Sequence, residues 1–367
     1  MLAEILTMNL ITIVFYTAGT LTVLSGILLL VIIGLRLMTD RNIRRDTEFR
    51  SRAEPLMRSF LAGDATVEVT AAVLGKSPRL AREILMEQAD SLGEGGREKL
   101  APLTGTFPFV GSELSNLRSR SWEKRLRATE ALGYLGNDTA LPGLMTALRD
   151  DVLSVRFAAA QSLARLGCQD AAEPILRALD VPGEVSQRRV VEVLMILGPR
   201  VTDPMIALLS HPTINETALA IAARVVGSLR IHRALQPLQG LLGHASPNVR
   251  LNAVRSIASI APHGDHSSIS AIAAIAEDPS WEVRNAVMQA LGKLGAADHV
   301  PLLLQGLSDQ EWWVRYSAAE ALHGLGETGI AELRNSAEHH VDAYGRDMSR
   351  QILQQHAIVQ PRKETHP

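Results

Sequence analysis

Rings and cysteines are what this 367-residue sequence has least of. Aromatic side chains make up 4% of it against 46% hydrophobic residues in all. A core must therefore be assembled from Leu, Ala, Val and Ile, which suits helices packed through small and branched side chains. The single cysteine, Cys168, excludes an internal disulfide and fits a reducing compartment. A formal charge of −2 leaves no basic excess, which argues against a nucleic-acid binder, whose phosphate contacts need a basic stripe. From Ile5 to Leu35 charge is missing altogether.

A hydrocarbon core of about 30 Å is crossed by ~20 helical residues, so this uncharged run predicts a single transmembrane helix within residues 1–38. Only Glu4 precedes it as a charged side chain, unlike the basic lead of a cleaved signal peptide, and an uncleaved anchor is expected. Arg36, Arg41, Arg44, Arg45, Arg50 and Arg52 follow, against Asp40, Asp46 and Glu48. By the positive-inside rule the N-terminus faces outward and the rest of the chain is cytoplasmic. The same arginines either fix topology only or also hold the segment against anionic lipid. Ala18, Thr22, Gly26 and Gly34 fall on one ridge of the anchor. Small residues so spaced allow close packing of a second membrane helix, or reflect ordinary membrane-helix composition.

Beyond the anchor the chain repeats itself. Residues 278–295 read DPSWEVRNAVMQALGKLG, and residues 309–326 read DQEWWVRYSAAEALHGLG. Aligned on the Arg of "VR", anchors fall at Arg125, Arg156, Gln187, Leu219, Arg250, Arg284, Arg315 and Arg346, at intervals of 31, 31, 32, 31, 34, 31 and 31. Three after the anchor come Ala128, Ala159, Val190, Ala222, Ala253, Val287, Ala318 and Ser349; seven after come Leu132, Leu163, Leu194, Val226, Ile257, Leu291, Leu322 and Leu353. Small and branched columns at that spacing predict one buried helix face. Ten after, aliphatic residues run from Leu135 to Leu325 and end at His356, as a polar terminal cap would. Pro142, Pro174, Pro204, Pro237 and Pro301 mark the first turns of a preceding helix. Gly136, Gly167, Gly198, Gly295 and Gly326 mark left-handed ends of the second helix. Each unit is helix, turn, helix, turn.

The pattern D-x-x-x-x-V-R-x-x-A-x-x-A-L-x-x-L-G resembles a HEAT repeat of the short bacterial type named after phycobilisome lyases. The resemblance implies an all-α chain: a HEAT-like α-solenoid of about eight two-helix repeats, preceded by the single transmembrane helix. The domains expected are the anchor (1–38), a basic juxtamembrane segment and helical N-terminal cap (39–108), the repeat array (109–357) and a disordered tail (358–367). Within the cap, helices are expected over Pro78 to Leu92 and Arg97 to Leu103. In such repeats turn Asp and helix Arg residues often form a ladder. Here Asp150, Asp278 and Asp309 stand six before Arg156, Arg284 and Arg315, and the third and fourth repeats lack both partners, which predicts an interruption in mid-array. A three-residue insertion around His263 to His266 is a second irregularity.

Chemistry is hard to find. Leu74-Gly75-Lys76-Ser77 lacks the upstream glycine of a phosphate loop, Thr70 standing in its place. His263 with His266, and His339 with His340, belong to no recognisable ligand set. Among enzymes resembling this repeat type, the hydroxylases that hold two irons use His-Glu pairs, and no histidine here precedes a glutamate. No catalytic residue, cofactor, metal or small-molecule substrate is expected; a lyase- or hydroxylase-type enzyme is the alternative.

Five after the anchor all eight residues are polar: Glu130, Gln161, Glu192, Arg224, Arg255, Gln289, Glu320 and Gln351. Phe157 and Tyr316 lie beside them, one after their anchors. This face is either a partner-binding groove with an arginine pair at its middle and Phe157 and Tyr316 as aromatic contacts, or a solvated surface. Trp122, Trp281 and Trp312 stand three before their anchors and are expected to pack over the neighbouring repeat. The function that follows is a membrane-anchored scaffold or regulatory subunit binding a protein partner at the cytoplasmic face. The resemblance further implies a bacterial inner membrane and, as partner, an integral membrane enzyme such as a glycosyltransferase of a surface-polysaccharide system.

Overall fold

The structure, a computed structural model, describes residues 2–93, 96–179, 184–210 and 215–359. These residues form helices and turns, with no strand among them, and the chain divides into two compact units, Met1–Gly111 and Ser112–Pro367.

The first unit is built on α1 (Leu2–Ala62), followed by α2 (Val67–Leu74), α3 (Pro78–Leu92) and α4 (Gly96–Thr104). The sequence places a boundary near residue 38, yet α1 runs through the arginine-rich segment without a break and continues past Pro55. At 1.5 Å per residue it is about 90 Å long. Its C-terminal part packs on α2 and α3 and buries Ala53 and Met57 against a core that includes Leu74, Ile84, Leu85, Leu100 and Leu103. Arg50 is committed there: its guanidinium meets Glu87 through two hydrogen bonds of 2.9 Å and Glu83 at 3.4 Å. Hydrogen bonding to Glu87 raises the Arg50 pKa and holds the Glu87 carboxyl below its usual range. Of the arginines for which lipid contact is one of two alternatives, Arg50 is therefore taken up by the protein itself.

Among the described residues no helix is long and apolar enough to cross a membrane, so the expected spanning segment over Ile5 to Leu35 is not met within them. The side chains of Ala18 and Thr22 lie outside the described residues, whereas Gly26 and Gly34 are exposed with nothing within 4 Å of an added Cβ. From Leu21 to Met38, large apolar side chains are between 44% and 71% exposed. Of the expected disordered tail, 358–367, the first two residues instead end the last helix at Val359, and the rest falls outside the described residues.

The boundary between the units falls in α5 (Phe109–Asn116). After it come α6 (Trp122–Leu135), α7 (Leu141–Ala147), α8 (Leu153–Arg165), α9 (Ala172–Ala178), α10 (Glu184–Ile196), α11 (Thr202–Leu209) and α12 (Glu216–Ser228). The series continues with α13 (Leu235–Gly240), α14 (Pro247–Ile260), α15 (His266–Ala273), α16 (Trp281–Leu294), α17 (Val300–Gly306), α18 (Trp312–Gly324), α19 (Glu327–His339) and α20 (Ala343–Val359). The even-numbered helices from α6 to α20 carry the anchors and pack each on the next.

The columns explain this stacking. All eight residues three after the anchor are buried, and of those seven after only Leu353, in the terminal repeat, is partly exposed. Small side chains in the first column let neighbouring helices approach while branched ones in the second fill between them. The closest approaches use glycine. On Gly227 a Cβ would stand 3.0 Å from Ser256 Cα; without it, α12 and α14 close until Ser256 Oγ donates to the Ala223 carbonyl at 2.7 Å. Gly133 and Ser162 join α6 to α8 in the same way, with Ser162 Oγ donating to the Thr129 carbonyl at 2.8 Å. The helix ends follow expectation at Gly167, Gly198, Gly295 and Gly326, all at positive φ, but Gly136 is extended, with φ −75 and ψ 168. In the fourth repeat the same place is held by Arg230, at φ 51.

An Arg–Asp ladder exists, with a connectivity different from the one the spacing suggests. The Asp six before an anchor gives that Arg only its carbonyl, as in Arg284 Nη1 to Asp278 O at 2.9 Å. The carboxylate instead reaches back one repeat. Arg125 holds Asp150, Arg250 holds Asp278 and Arg284 holds Asp309, each through Nε and Nη2 at 2.6–2.9 Å. Each Asp also accepts the backbone N–H two residues later. Burial alone would raise these carboxyls; the guanidinium fork and the turn N–H outweigh it and hold all three below the usual range. At the last repeat His340 occupies the Asp position, and the buried Arg315 Nε has no partner among the described residues.

Candidate functional site

At 100° per residue, the position five after the anchor lies about 180° from the mean of the buried positions three and seven. The structure places it accordingly. Glu130, Gln161, Arg224 and Glu320 are half-buried, and Glu192, Arg255, Gln289 and Gln351 are exposed. Its charge changes along the stack: acid or amide over α6 to α10, two arginines on α12 and α14, amide and acid again on α16 to α20.

Two concavities bring members of the column together. The first, of about 660 Å³, joins Gln187 of α10 and Arg224 of α12 to Asn248, Asn252, Arg255 and Ser259 of α14. Asn252 spends its amide on the Asn248 carbonyl and side chain, at 2.8 and 2.9 Å, and Ser256 is spent on the α12 backbone. Both shape the wall. The second, of about 530 Å³, is lined by Gln289, Lys293, Tyr316, Glu320 and His356. There Gln289 donates to Ser317 at 3.2 Å, and His356 Nε2 lies 3.1 Å from the Glu320 carboxylate. The His356 ring stacks on His323 at 3.8 Å. Burial, and then the neighbouring His356, lower the His323 pKa. Glu130, Gln161 and Glu192 share the face but line neither concavity.

Two aromatic expectations are corrected. Phe157 is 5% exposed, with the Arg189 guanidinium 4.3 Å above its ring, so it serves the core and offers no partner contact. Of the tryptophans expected to pack over a neighbouring repeat, Trp281 is half-buried, whereas Trp122 and Trp312 are 43% and 40% exposed, as is the adjacent Trp313 at 55%. Trp312 stacks on Tyr316 at 5.1 Å and meets Trp313 edge-on at 4.7 Å. This is an open aromatic patch at the rim of the second concavity. Sequence reasoning saw each ring at its repeat position; what it missed is that Glu311, Trp312 and Trp313 stand exposed together at the start of α18.

The four histidines weighed as ligands come to no metal set, and among the described residues no group of three or more His, Cys, Asp or Glu is placed to hold an ion. His263 lies against Gly295, and Gly264 N–H donates to the Leu294 carbonyl at 2.7 Å, so the insertion clasps the end of α16. His340 bridges towards the Leu304 carbonyl at 3.4 Å.

No curated protein matches the sequence. Among solved structures, the chain is similar to the CpcE–CpcF complex of phycocyanin lyase from Nostoc sp. PCC7120, at 16% identity over 67% of this chain and 94% of that one, TM-score 0.30. It is similar also to YibA of Escherichia coli, at 14% identity over 66% and 92%, TM-score 0.40. A designed armadillo repeat protein in complex with the peptide (KR)4 matches at 19% identity over 59% and 99%, TM-score 0.33. With likenesses this loose, the fold rests on the repeat geometry above and on a family model, that of HEAT repeats, which matches residues 112–195 and 269–354. The second unit of this chain is thus a HEAT-like repeat solenoid, a scaffold whose exposed second-helix face is suited to protein interaction.

Proposed function

We propose that the chain is a membrane-tethered, non-catalytic scaffold whose second-helix face binds a protein partner. The observation that carries the reading is the polar column, half-buried or exposed at every member, standing opposite a fully buried one over eight repeats. Such a stack offers extended surface, and surface is what protein partners bind. The tether is supported by the uncharged run from Ile5 to Leu35 and by the apolar side chains from Leu21 to Met38, which no other part of the chain covers among the described residues. Solvated apolar area of that extent needs another partner, and lipid is the one its all-round distribution fits. The repeats then lie on the cytoplasmic side of a bacterial inner membrane. The partner favoured is an integral membrane enzyme, a glycosyltransferase of a surface-polysaccharide system, a finer step supported by the resemblance of the repeat type alone.

Carbonate extraction tests the tether: the full chain stays with the membranes and a chain lacking residues 1–38 is released. Release of the full chain refutes anchoring. Mild-detergent recovery of a stoichiometric membrane protein by the full chain, lost on Glu192→Lys with Glu320→Lys, is expected for the face; undiminished recovery refutes it. A tetrapyrrole absorbance or stoichiometric iron in the purified chain refutes the non-catalytic reading.

A further inference from the structure

We propose that the concavity between α10, α12 and α14 binds two carboxylates of an extended acidic peptide segment of the partner, one on Arg224 and one on Arg255. The inference rests on the reading of the second-helix face as the partner surface, and it adds the chemistry of what is bound.

Three observations carry it. First, Arg125, Arg250 and Arg284 each take a carboxylate of the fold as a bidentate fork. Arg224 and Arg255 have neither an ion pair nor a hydrogen bond among the described residues, although both line the same 660 Å³ concavity. An unpartnered guanidinium in a concave site is a donor fork set for a planar anion. Second, apart from Gly227 and Leu251 the remaining lining is amide and hydroxyl, and none of it is acidic. Third, the concavity lies where the staples of the array are missing. Gln187 and Leu219 stand at the two anchors that are not arginine, and Gln187 lines the site where Arg125, Arg250 and Arg284 spend that position on the ladder.

The pattern of charge selects among anions. Glu192 precedes the arginine pair on the same column and Glu320 follows it, so a continuous polyanion such as nucleic acid would be repelled on both sides. Adjacent packed helices stand ~8–10 Å apart, close to the ~7 Å between alternate side chains of an extended strand. Two acidic residues separated by one other therefore match two arginines on neighbouring helices. Backbone amides of such a segment meet Gln187 and Ser259 at the margins.

The test uses the full chain in mild detergent and fluorescence anisotropy of a labelled Gly/Ser peptide carrying Glu-x-Glu. The wild type should bind it about tenfold or more tightly than the Arg224→Gln/Arg255→Gln variant does, and more tightly than it binds the Gln-x-Gln peptide. The Arg224→Lys/Arg255→Lys variant, which keeps charge but not the fork, should fall between. Equal binding of the Gln-x-Gln peptide, or indifference to both double variants, overturns the proposal. So does displacement of the peptide by inorganic phosphate at concentrations where acetate has no effect, which would assign the site to phosphate. Partner recovery separates the two readings. If the arginine variants leave recovery intact while Glu192→Lys with Glu320→Lys abolishes it, the acidic-peptide inference falls and the scaffold face stands; if neither set alters recovery, the face itself falls.

Discussion

Replacing Arg250 by Met tests the ladder where it is best enclosed. The Asp278 side chain is 4% exposed and that of Arg250 12%, and the two are joined by bonds of 2.6 and 2.7 Å. Arg250 also donates to the carbonyls of His244 and Ala245 at 2.8 and 2.9 Å. Removing the guanidinium leaves a carboxylate almost out of water with only the Ser280 N–H, at 2.9 Å, to hold it. Loss of one member of a buried pair costs about 3–5 kcal/mol. In a stack of repeats the loss is local, because each unit contacts only its neighbours. Hydrogen exchange of the full chain should therefore show protection falling by this amount in α14 and α16 and not in α6. Since burial is outweighed and the Asp278 pKa is depressed, the contribution is present above the unfolded carboxyl pKa, about 3.9. It is lost as pH falls through the lower folded value, so wild type and variant should converge in strong acid. A cost below about 1 kcal/mol, an equal loss in α6, or a difference that grows in acid would refute the reasoning.

Gly227→Ala should drive α12 from α14 by setting a methyl group against Ser256, costing about 1–3 kcal/mol in denaturant unfolding; Gly240→Ala, in open space, is the control. Arg230→Gly relieves a left-handed backbone and should stabilise by up to about 1 kcal/mol, read as a rise in the thermal midpoint. Trp313→Ala removes a half-exposed ring and should cost no more than about 1 kcal/mol, well below what a buried Trp would show in the same melt. Burial and His356 depress His323, so the unfolded chain binds its proton first and this site's contribution should weaken as pH drops below about 6.5; His323→Phe should flatten that slope in pH-resolved melts.

The sequence disclosed whatever obeys a period. Columns three and seven after the anchor recur eight times, and burial follows from helix geometry alone, as Ala159, Leu163, Val287 and Leu291 show. The polar column was legible for the same reason. What could not be read depends on which neighbour a side chain meets. Asp278 is six residues from Arg284 and 28 from Arg250, yet its carboxylate takes the distant one, because the turn points it back along the stack. Phe157 and Tyr316 occupy the same repeat position, but Arg189 lies over one ring and Trp312 stacks on the other in an open cluster. The junction near residue 38 was placed where charge begins; helix propensity ignores that boundary, and α1 continues to Ala62.

The glycine contacts divide the solenoid mechanically. Where Gly133 admits Ser162 and Gly227 admits Ser256, two successive helices share a backbone-tight seam with a hydroxyl rivet across it. Between α8 and α10 and between α10 and α12 the matching positions are Ala164 and Met195, and no such rivet forms among the described residues. The later junctions without a rivet are tied instead by Arg250 to Asp278, Arg284 to Asp309 and His356 to Glu320, so under tension the stack should part first at the two junctions flanking α10, leaving the riveted pairs as plates. The arginine-lined concavity spans one of them, from α10 to α12, so an occupant there would act as a brace across a seam that the chain itself leaves unfastened.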